Sequence, residues 1–445
     1  MSIASVMSKS ITKVSYNDLP EDVVEQAKRC IIDWFGVAFG GSGDSVTEIL
    51  ISYVKQVGGI PQATILRWGL KTSVVNAALV NGAMSHVLDF DDTHEASLVH
   101  PSSPLMPSIL SVSEWKKLSG KHLITAFVVG YEVEVKIGSL LQPHTIDAGW
   151  HPTSVFGRLG AAAGVGKILR LNKREMTHAF GIAATQSAGL RKVFGSMSKS
   201  FHPGKASADA ILSCLLAKKG FTSAENIFEN DIGFLKVFSC NRYTGKEVIP
   251  DITSKYEIVN NCFKPYAACL LTHPTIEAAC KIRSEINNSW NKIKQIFCEV
   301  SSLALDAAGK NNPKTGLDGK FSIYYCVAIS LLKGKANQSQ FTTDQVNNSE
   351  IKRLMAKVIV QSNPGFSITQ AYVRVILNDG TIHEQKVNTP KGYPENPMSD
   401  SELERKFMDL VIPVTGRDKA AILLKKLKRI EEVKDVSEIL ELCIC

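Results

Sequence analysis

The sequence predicts a mainly α-helical protein: a large all-helical domain built from both chain ends, with a smaller α+β domain set between them. Three observations carry this. Apolar residues recur at three- and four-residue spacing in nearly every segment from residue 18 to about 245, the period of helices that bury one face. Between about 260 and 390 the texture changes to short β-branched runs with a turn signal. From KGYPENPMSDSELERKF onward the helical period returns, so the last helices can pack back on the first domain.

Taken in order, the first helix shows its own start. Asp18 and Glu21 form a D-x-x-E capping box, Pro20 lies in the opening turn, and Val24, Ala27, Ile31, Trp34 and Ala38 make one face. Gly40, Gly41 and Gly43 end it. Residues 74–90 are apolar nearly all round, which marks a helix buried on most sides. Further helices are expected at 104–117, 121–141, 153–169, 173–189, 204–218 and 223–228. Residues 292–302 and 355–362 read as strands, and 371–387 as a hairpin turning at Asn378-Asp379-Gly380. Helical patterns at 273–286 and 320–333 lie among them. Ser399 and Glu402 make a second capping box, and helices at 416–427 and 435–442 follow.

Composition narrows the function classes. The 445 residues carry a net charge of +8, spread along the chain without a Lys/Arg block or interleaved aromatics. That balance suits small anionic substrates better than nucleic acid. No window approaches the roughly 18 uncharged apolar residues of a membrane helix, and the start has no apolar stretch of signal-peptide length. A cytoplasmic location without membrane contact is expected. The ten cysteines include no C-x-x-C pair and sit mostly in apolar runs, so reduced, buried thiols are expected rather than a disulfide framework.

The densest polar cluster in an apolar region is HVLDFDDTHEASLVHPSS, residues 86–103. If the helix runs on to residue 93, His86, Asp89 and Thr93 share one face. Asp89, Asp91, Asp92, His94 and His100 are possible metal ligands, but the run matches no zinc or EF-hand spacing, and no metal is expected. The structural alternative is a loop capped by Asp92 or Thr93. His100-Pro101-Ser102 and His151-Pro152-Thr153 repeat one pattern, a His-Pro turn with a hydroxyl residue at a helix entrance. Such entrances favour anions. A third cluster places Lys199, His202 and Lys205 before a helix, and a fourth sets Lys264 in an apolar-aromatic stretch, where a lysine often only snorkels. Tyr324 and Tyr325 lie in a core-like helix, where at least one hydroxyl needs a partner.

Neither G-x-G-x-x-G after a strand, nor a P-loop, nor a G-x-S-x-G elbow occurs, and no cofactor is expected. Histidines, lysines, one or two carboxylates and a tyrosine serve proton transfer on an anionic substrate.

The stretches NGAMSHVLDFDDTH, HPSSPLMPSIL, GYEVEVKIG, GWHPTSVFG, FGIAATQSAGL, KSFHPGKASADA, CFKPYAACLLTHP, GKFSIYYCVA and NPMSDSELERKF, spread from about residue 15 to 430, together resemble the MmgE/PrpD family. That family includes 2-methylcitrate dehydratase, cis-aconitate decarboxylase and iminodisuccinate epimerase. The resemblance implies a helical domain from residues 1–264 and 396–445, an α+β lid from 265–395, an active site in the cleft between them, and usually a homodimer. Carried over by position, catalytic roles fall on Asp89, His100, His151 and Lys199, and substrate binding on Thr93, Lys264 and Tyr325. Tyr324 is adjacent to the last match. The expected substrate is a di- or tricarboxylate, and the expected reaction is loss of water from a 2-methylcitrate-like tricarboxylate. Decarboxylation of cis-aconitate, epimerisation of a dicarboxylate such as iminodisuccinate, and a non-catalytic carboxylate-binding homologue are the alternatives.

Overall fold

The computed structural model describes residues 2–245, 251–287 and 289–445. Among them are twenty α-helices, one four-stranded sheet and two pairs of two-residue strands, so the fold is mainly α. The chain forms two compact units. One holds the residues up to 87 with 91–262 and 399–445; the other holds 88–90 and 263–398. None of the described helices is long and apolar enough to cross a membrane.

In the first unit, the helix Glu21–Gly41 buries Val24, Ala27, Ile31, Trp34 and Ala38, the face its spacing dictates. Its start differs from the expected Asp18/Glu21 box. The Asp18 carboxylate instead accepts from the backbone N–H and hydroxyl of Ser15, at 2.8 and 2.6 Å, around the short turn Tyr16–Asp18. Pro20 occupies the cap position. Two further helices are not among the expected spans although their apolar spacing is helical: Ile3–Lys13 buries Ala4, Met7 and Ile11, and Ser45–Val57 buries Val46, Ile51 and Val54.

Val74–His86 is buried on every side from Ala77 onward, yet it stops at His86 rather than running on to 90 or 93. Asp89 adopts a left-handed conformation with φ 49°, and Thr93 lies in a short strand paired with Cys262. The idea of one helical face shared by His86, Asp89 and Thr93 is therefore wrong. A left-handed non-glycine residue costs about 1–3 kcal/mol and needs its surroundings to hold it.

Helices Ser102–Lys116, Gly120–Leu141, Pro152–Ile168 and Lys173–Thr185 fall close to their expected spans. Met197–Lys218 begins seven residues before the expected 204, with Pro203 inside it. It is tied to Pro152–Ile168 by the buried Arg158 Nε and Asp209 Oδ2, 2.9 Å apart. Residues 223–228 are not helical; the chain turns there, with Asn230 at φ 71°, before the short helix Phe234–Phe238.

Residues 399–445 belong to this unit. Ser399 and Glu402 form the expected capping box of Asp400–Thr415, and Lys406 Nζ meets the Asp33 carboxylate of Glu21–Gly41 at 2.7 Å, both side chains buried. After Arg417–Lys428 only the single turn Ser437–Leu440 and a 3-10 turn remain of the expected 435–442 helix. The chain then clasps Arg67, whose N–H donates to Cys443 O at 2.7 Å while its carbonyl accepts from Cys445 N at 2.9 Å.

The second unit is α+β. Its sheet runs Val358–Ser362, Ile293–Val300, Ala371–Leu377, Ile382–Val387 in spatial order. The first pair is parallel, Cys298 opposite Val360; the others are antiparallel, Cys298 opposite Val373 and Val373 opposite Gln385. The parallel step needs a long crossover, which contains the buried helix Ile323–Lys333. Ala371, Val373, Val375 and Leu377 point inward while Arg374 is exposed, the period-two pattern of a sheet with one covered face. Helix His273–Glu285 packs on the strands Ala371–Leu377 and Ile382–Val387.

Candidate active site

Four imidazoles converge in the first unit. His86 ends its helix; His100 precedes the helix starting at Ser102; His151 caps Pro152–Ile168, with Pro152 at the first helical position; His202 lies in the second turn of Met197–Lys218. The two His-Pro turns are joined directly, since the His100 N–H donates to Thr153 Oγ1 at 3.0 Å. The rings of His86 and His100 meet edge to face at 4.7 Å, those of His86 and His151 stack at 5.9 Å, and Nδ1 of His151 lies 2.9 Å from Nδ1 of His202. One nitrogen of that last pair must carry the proton the other accepts.

Carboxylates hold the cluster. Asp91 Oδ2 lies 2.7 Å from His86 Nδ1 and 3.2 Å from His100 Nδ1, and accepts from the Ser103 hydroxyl at 2.6 Å. Burial works to raise this carboxyl, but the two imidazoles and their hydrogen bonds overcome it and hold Asp91 well below the usual carboxylate range. The neighbouring Asp92 goes the other way, pushed up to about 8 by burial and then by the charge of Asp33. It accepts from the backbone N–H and hydroxyl of Ser102 at 3.2 and 2.7 Å, so it caps the Ser102–Lys116 helix.

Burial also lowers His86 to about 4, aided by the Lys199 charge and opposed by Asp91. His151 is held well below its ordinary value by burial, then by Lys199 and the other imidazoles, and His202 falls to about 4 through burial and then the charges of His86, Arg158 and Lys199. These rings are neutral near pH 7.

Lys199 is 5% exposed, in the first turn of its helix, with its ammonium 5.3 Å from the centre of the Phe194 ring. A buried cation at a helix N-terminus opposes the helix dipole. Together the helix end and the ammonium make a field that an anion would relieve. Pro203 removes the N–H that would otherwise bond the Lys199 carbonyl. The Thr93 hydroxyl is buried without a hydrogen-bond partner among the described residues.

The other expected residues lie in the second unit. Lys264, fully buried, donates to the Asp89 carbonyl at 2.9 Å and meets its carboxylate at 3.3 Å. It does not snorkel. Tyr325 is also fully buried, and its hydroxyl donates to the Gln340 carbonyl. The adjacent Tyr324 is half-buried.

His86, Asp91 and His202 stand in this geometry without having been assigned a role from the sequence. The signals were present: His86 and Asp91 lie in the dense polar run, and His202 follows Lys199 by three, on one helix face.

The MmgE/PrpD N-terminal domain matches residues 5–245 and the MmgE/PrpD C-terminal domain residues 266–430. The chain belongs to the MmgE/PrpD family. Relatives within it include cis-aconitate decarboxylase of Aspergillus terreus, 27% identical over 462 residues that span 98% of this chain and 94% of that protein. Human cis-aconitate decarboxylase is 28% identical over 460 residues, 98% and 93% of the two chains. The 2-methylcitrate dehydratase of Salmonella typhimurium is 23% identical over 389 residues, covering 81% and 77%. This MmgE/PrpD chain is thus similar along its length to lyases of small carboxylates.

Proposed function

We propose that this MmgE/PrpD protein is a cofactor-independent lyase that decarboxylates a cis-aconitate-like tricarboxylate. The observation that carries the lyase reading is the cluster of imidazoles, His86 and His100 against Asp91 and His151 against His202, with the buried Lys199 on the same helix as His202. The choice of decarboxylation over the dehydration expected from the sequence rests on the fuller coverage by decarboxylase relatives.

In such a reaction the electron pair of the bond to the departing carboxylate becomes a new carbon–carbon double bond. The old double bond takes a proton at its far carbon. An imidazole supplies that proton: a bound tricarboxylate, by bringing negative charge beside the rings, favours their charged form, so that a ring protonated from solvent becomes the acid that gives its proton to the carbon. Lys199 holds a substrate carboxylate where charge accumulates. His100 and His151 share the proton work, Asp89 orients, and Thr93, Lys264 and Tyr325 bind substrate; these roles, and a homodimeric state, follow the family resemblance.

A second reading, loss of water from a 2-methylcitrate-like tricarboxylate, is supported by the dehydratase relatives. There the same neutral imidazoles act first as bases.

Proton NMR of the purified, chelator-treated protein in deuterium oxide, with cis-aconitate, 2-methylcitrate, citrate and iminodisuccinate in separate tubes, tests the proposal. Itaconate from cis-aconitate supports it. An unsaturated tricarboxylate from 2-methylcitrate moves the assignment to the second reading, deuterium wash-in without loss of mass to an epimerase. Silence in every tube removes the catalytic reading and favours a carboxylate-binding role.

A further inference from the structure

Asp91 is placed to do more than neutralise a charge. One of its oxygens, Oδ2, serves three groups at once: His86 Nδ1 at 2.7 Å, His100 Nδ1 at 3.2 Å and the Ser103 hydroxyl at 2.6 Å. Ser103 is steadied in turn by Ser85, whose hydroxyl donates to it at 3.3 Å from the same helix that carries His86. We propose that Asp91 is a positioning residue that fixes His86 and His100 in one tautomer, Nδ1–H toward the carboxylate, and that His86 is thereby a second acid–base group acting through Nε2. What the imidazoles do rests on the lyase reading; how they are held rests on geometry alone.

An ionised carboxylate accepts hydrogen bonds and donates none, so His86, hydrogen-bonded to it through Nδ1, must carry its proton there, and the same charge 3.2 Å from His100 Nδ1 favours that form of the second ring. The Nε2 lone pair then points away. For His86 that nitrogen is buried and has no hydrogen-bond partner among the described residues. A bare buried acceptor is costly unless a ligand or reacting proton meets it, and no structural task for it is visible. The second Asp91 oxygen is likewise without a partner among the described residues.

The arrangement also limits the charge the pair can hold. Two imidazolium rings 4.7 Å apart around a single oxygen would repel each other, so the pair carries one extra proton at a time. A proton accepted at one Nε2 forms an imidazolium balanced by Asp91. It leaves by the same nitrogen, to the substrate carbon or a departing hydroxyl, and the ring returns to the neutral Nδ1–H form. No other oxidant, reductant or co-reactant enters.

The test has two arms. Long-range proton–nitrogen NMR of the full chain labelled with nitrogen-15 histidine, assigned with His86→Gln and His100→Gln, reads the tautomers with no substrate present. Both rings as Nδ1–H supports the proposal; Nε2–H at either ring overturns it. In the second arm, Asp91→Asn is expected to lower kcat by about 10²–10⁴-fold with little change in KM. It should also move the limb of the pH–rate profile that reports the imidazolium to lower pH, as the imidazolium loses its anion. Asp91→Glu should recover part of the rate. An Asp91→Asn protein with native tautomers and a native pH profile overturns the proposal. If that variant does not fold, the tautomers of the unaltered chain still decide. A chain that turns over no carboxylate but shows both rings as Nδ1–H would sink the lyase reading and leave the role of Asp91 in holding the rings intact.

Discussion

Gly82 and Gly204 meet backbone to backbone: a methyl carbon added at Gly82 would stand 2.7 Å from the Gly204 Cα, and one added at Gly204 would collide with the Leu79 carbonyl oxygen. The helix that ends at His86 and the helix that carries Lys199 and His202 are therefore in contact through their main chains, and the imidazoles inherit the spacing this fixes. Gly204→Ala is expected to destabilise the protein by about 1–3 kcal/mol through overpacking. It should also lower kcat, since small misplacements of reacting groups cost up to about 10²-fold. Urea unfolding and steady-state kinetics check both; an alanine variant with native values would show that the helices separate without consequence.

The pH dependence of stability follows from opposed shifts. His86, His94 and His202, each lowered to about 4, bind fewer protons folded than unfolded, so stability rises as pH climbs from about 4 to the ordinary histidine value. Asp92 and Glu132, raised to about 8 and about 7, stay protonated when folded, so the stability they contribute at low pH is lost as pH rises through those values. Above the histidine range only the second effect remains. The thermal midpoint is expected to fall between roughly pH 6.5 and 8.5, and Asp92→Asn should flatten that fall. A midpoint that keeps rising to pH 8.5 would mean that Asp92 ionises without penalty.

Lys264 and Asp89 form a buried pair, 1% and 4% exposed at their side chains. Lys264→Met leaves a carboxylate and a carbonyl without their cation, at an expected cost of about 3–5 kcal/mol. Adding Asp89→Asn should recover a good part of it. A double-mutant cycle by chemical denaturation measures the coupling; additive effects would show that the two side chains are energetically independent.

His100→Ala and Lys199→Ala are expected to lower turnover by about 10²–10⁴-fold. Removing a buried ammonium from a helix N-terminus relieves an unfavourable charge, so Lys199→Ala should melt no lower than the native chain. Unfolding of both variants at ordinary temperature would assign these residues to structure instead.

Where the apolar period is unbroken, as in Gly120–Leu141 and Val74–His86, the helix is legible because burial alone explains the pattern. The ends are less so. Asp18 is one residue type with two available partners, and Ser15 takes it. Pro203 reads as a boundary, yet a helix turn tolerates it once the Lys199 carbonyl is released, and that hides the placement of Lys199 and His202 on one helix. The dense run at 86–103 marks itself as special by composition. Its geometry is not in the run: a left-handed Asp89 ends the helical register, and the partner that His86 Nδ1 takes is Asp91, five residues on. Tyr325 shows the opposite limit, since the partner that takes its hydroxyl, Gln340, lies outside any motif.

The clasp of residues 443–445 around Arg67 and the Lys406–Asp33 pair constrain the order in which the protein can be completed during synthesis. At the ribosome, residues 263–398 emerge as one continuous stretch and hold nearly all of their own unit. Glu21–Gly41 lacks the surface that covers it until Asp400–Thr415 has emerged. The first unit is thus completed only after the second has been made, and in the interval the uncovered face of Glu21–Gly41 is surface that a chaperone would shield.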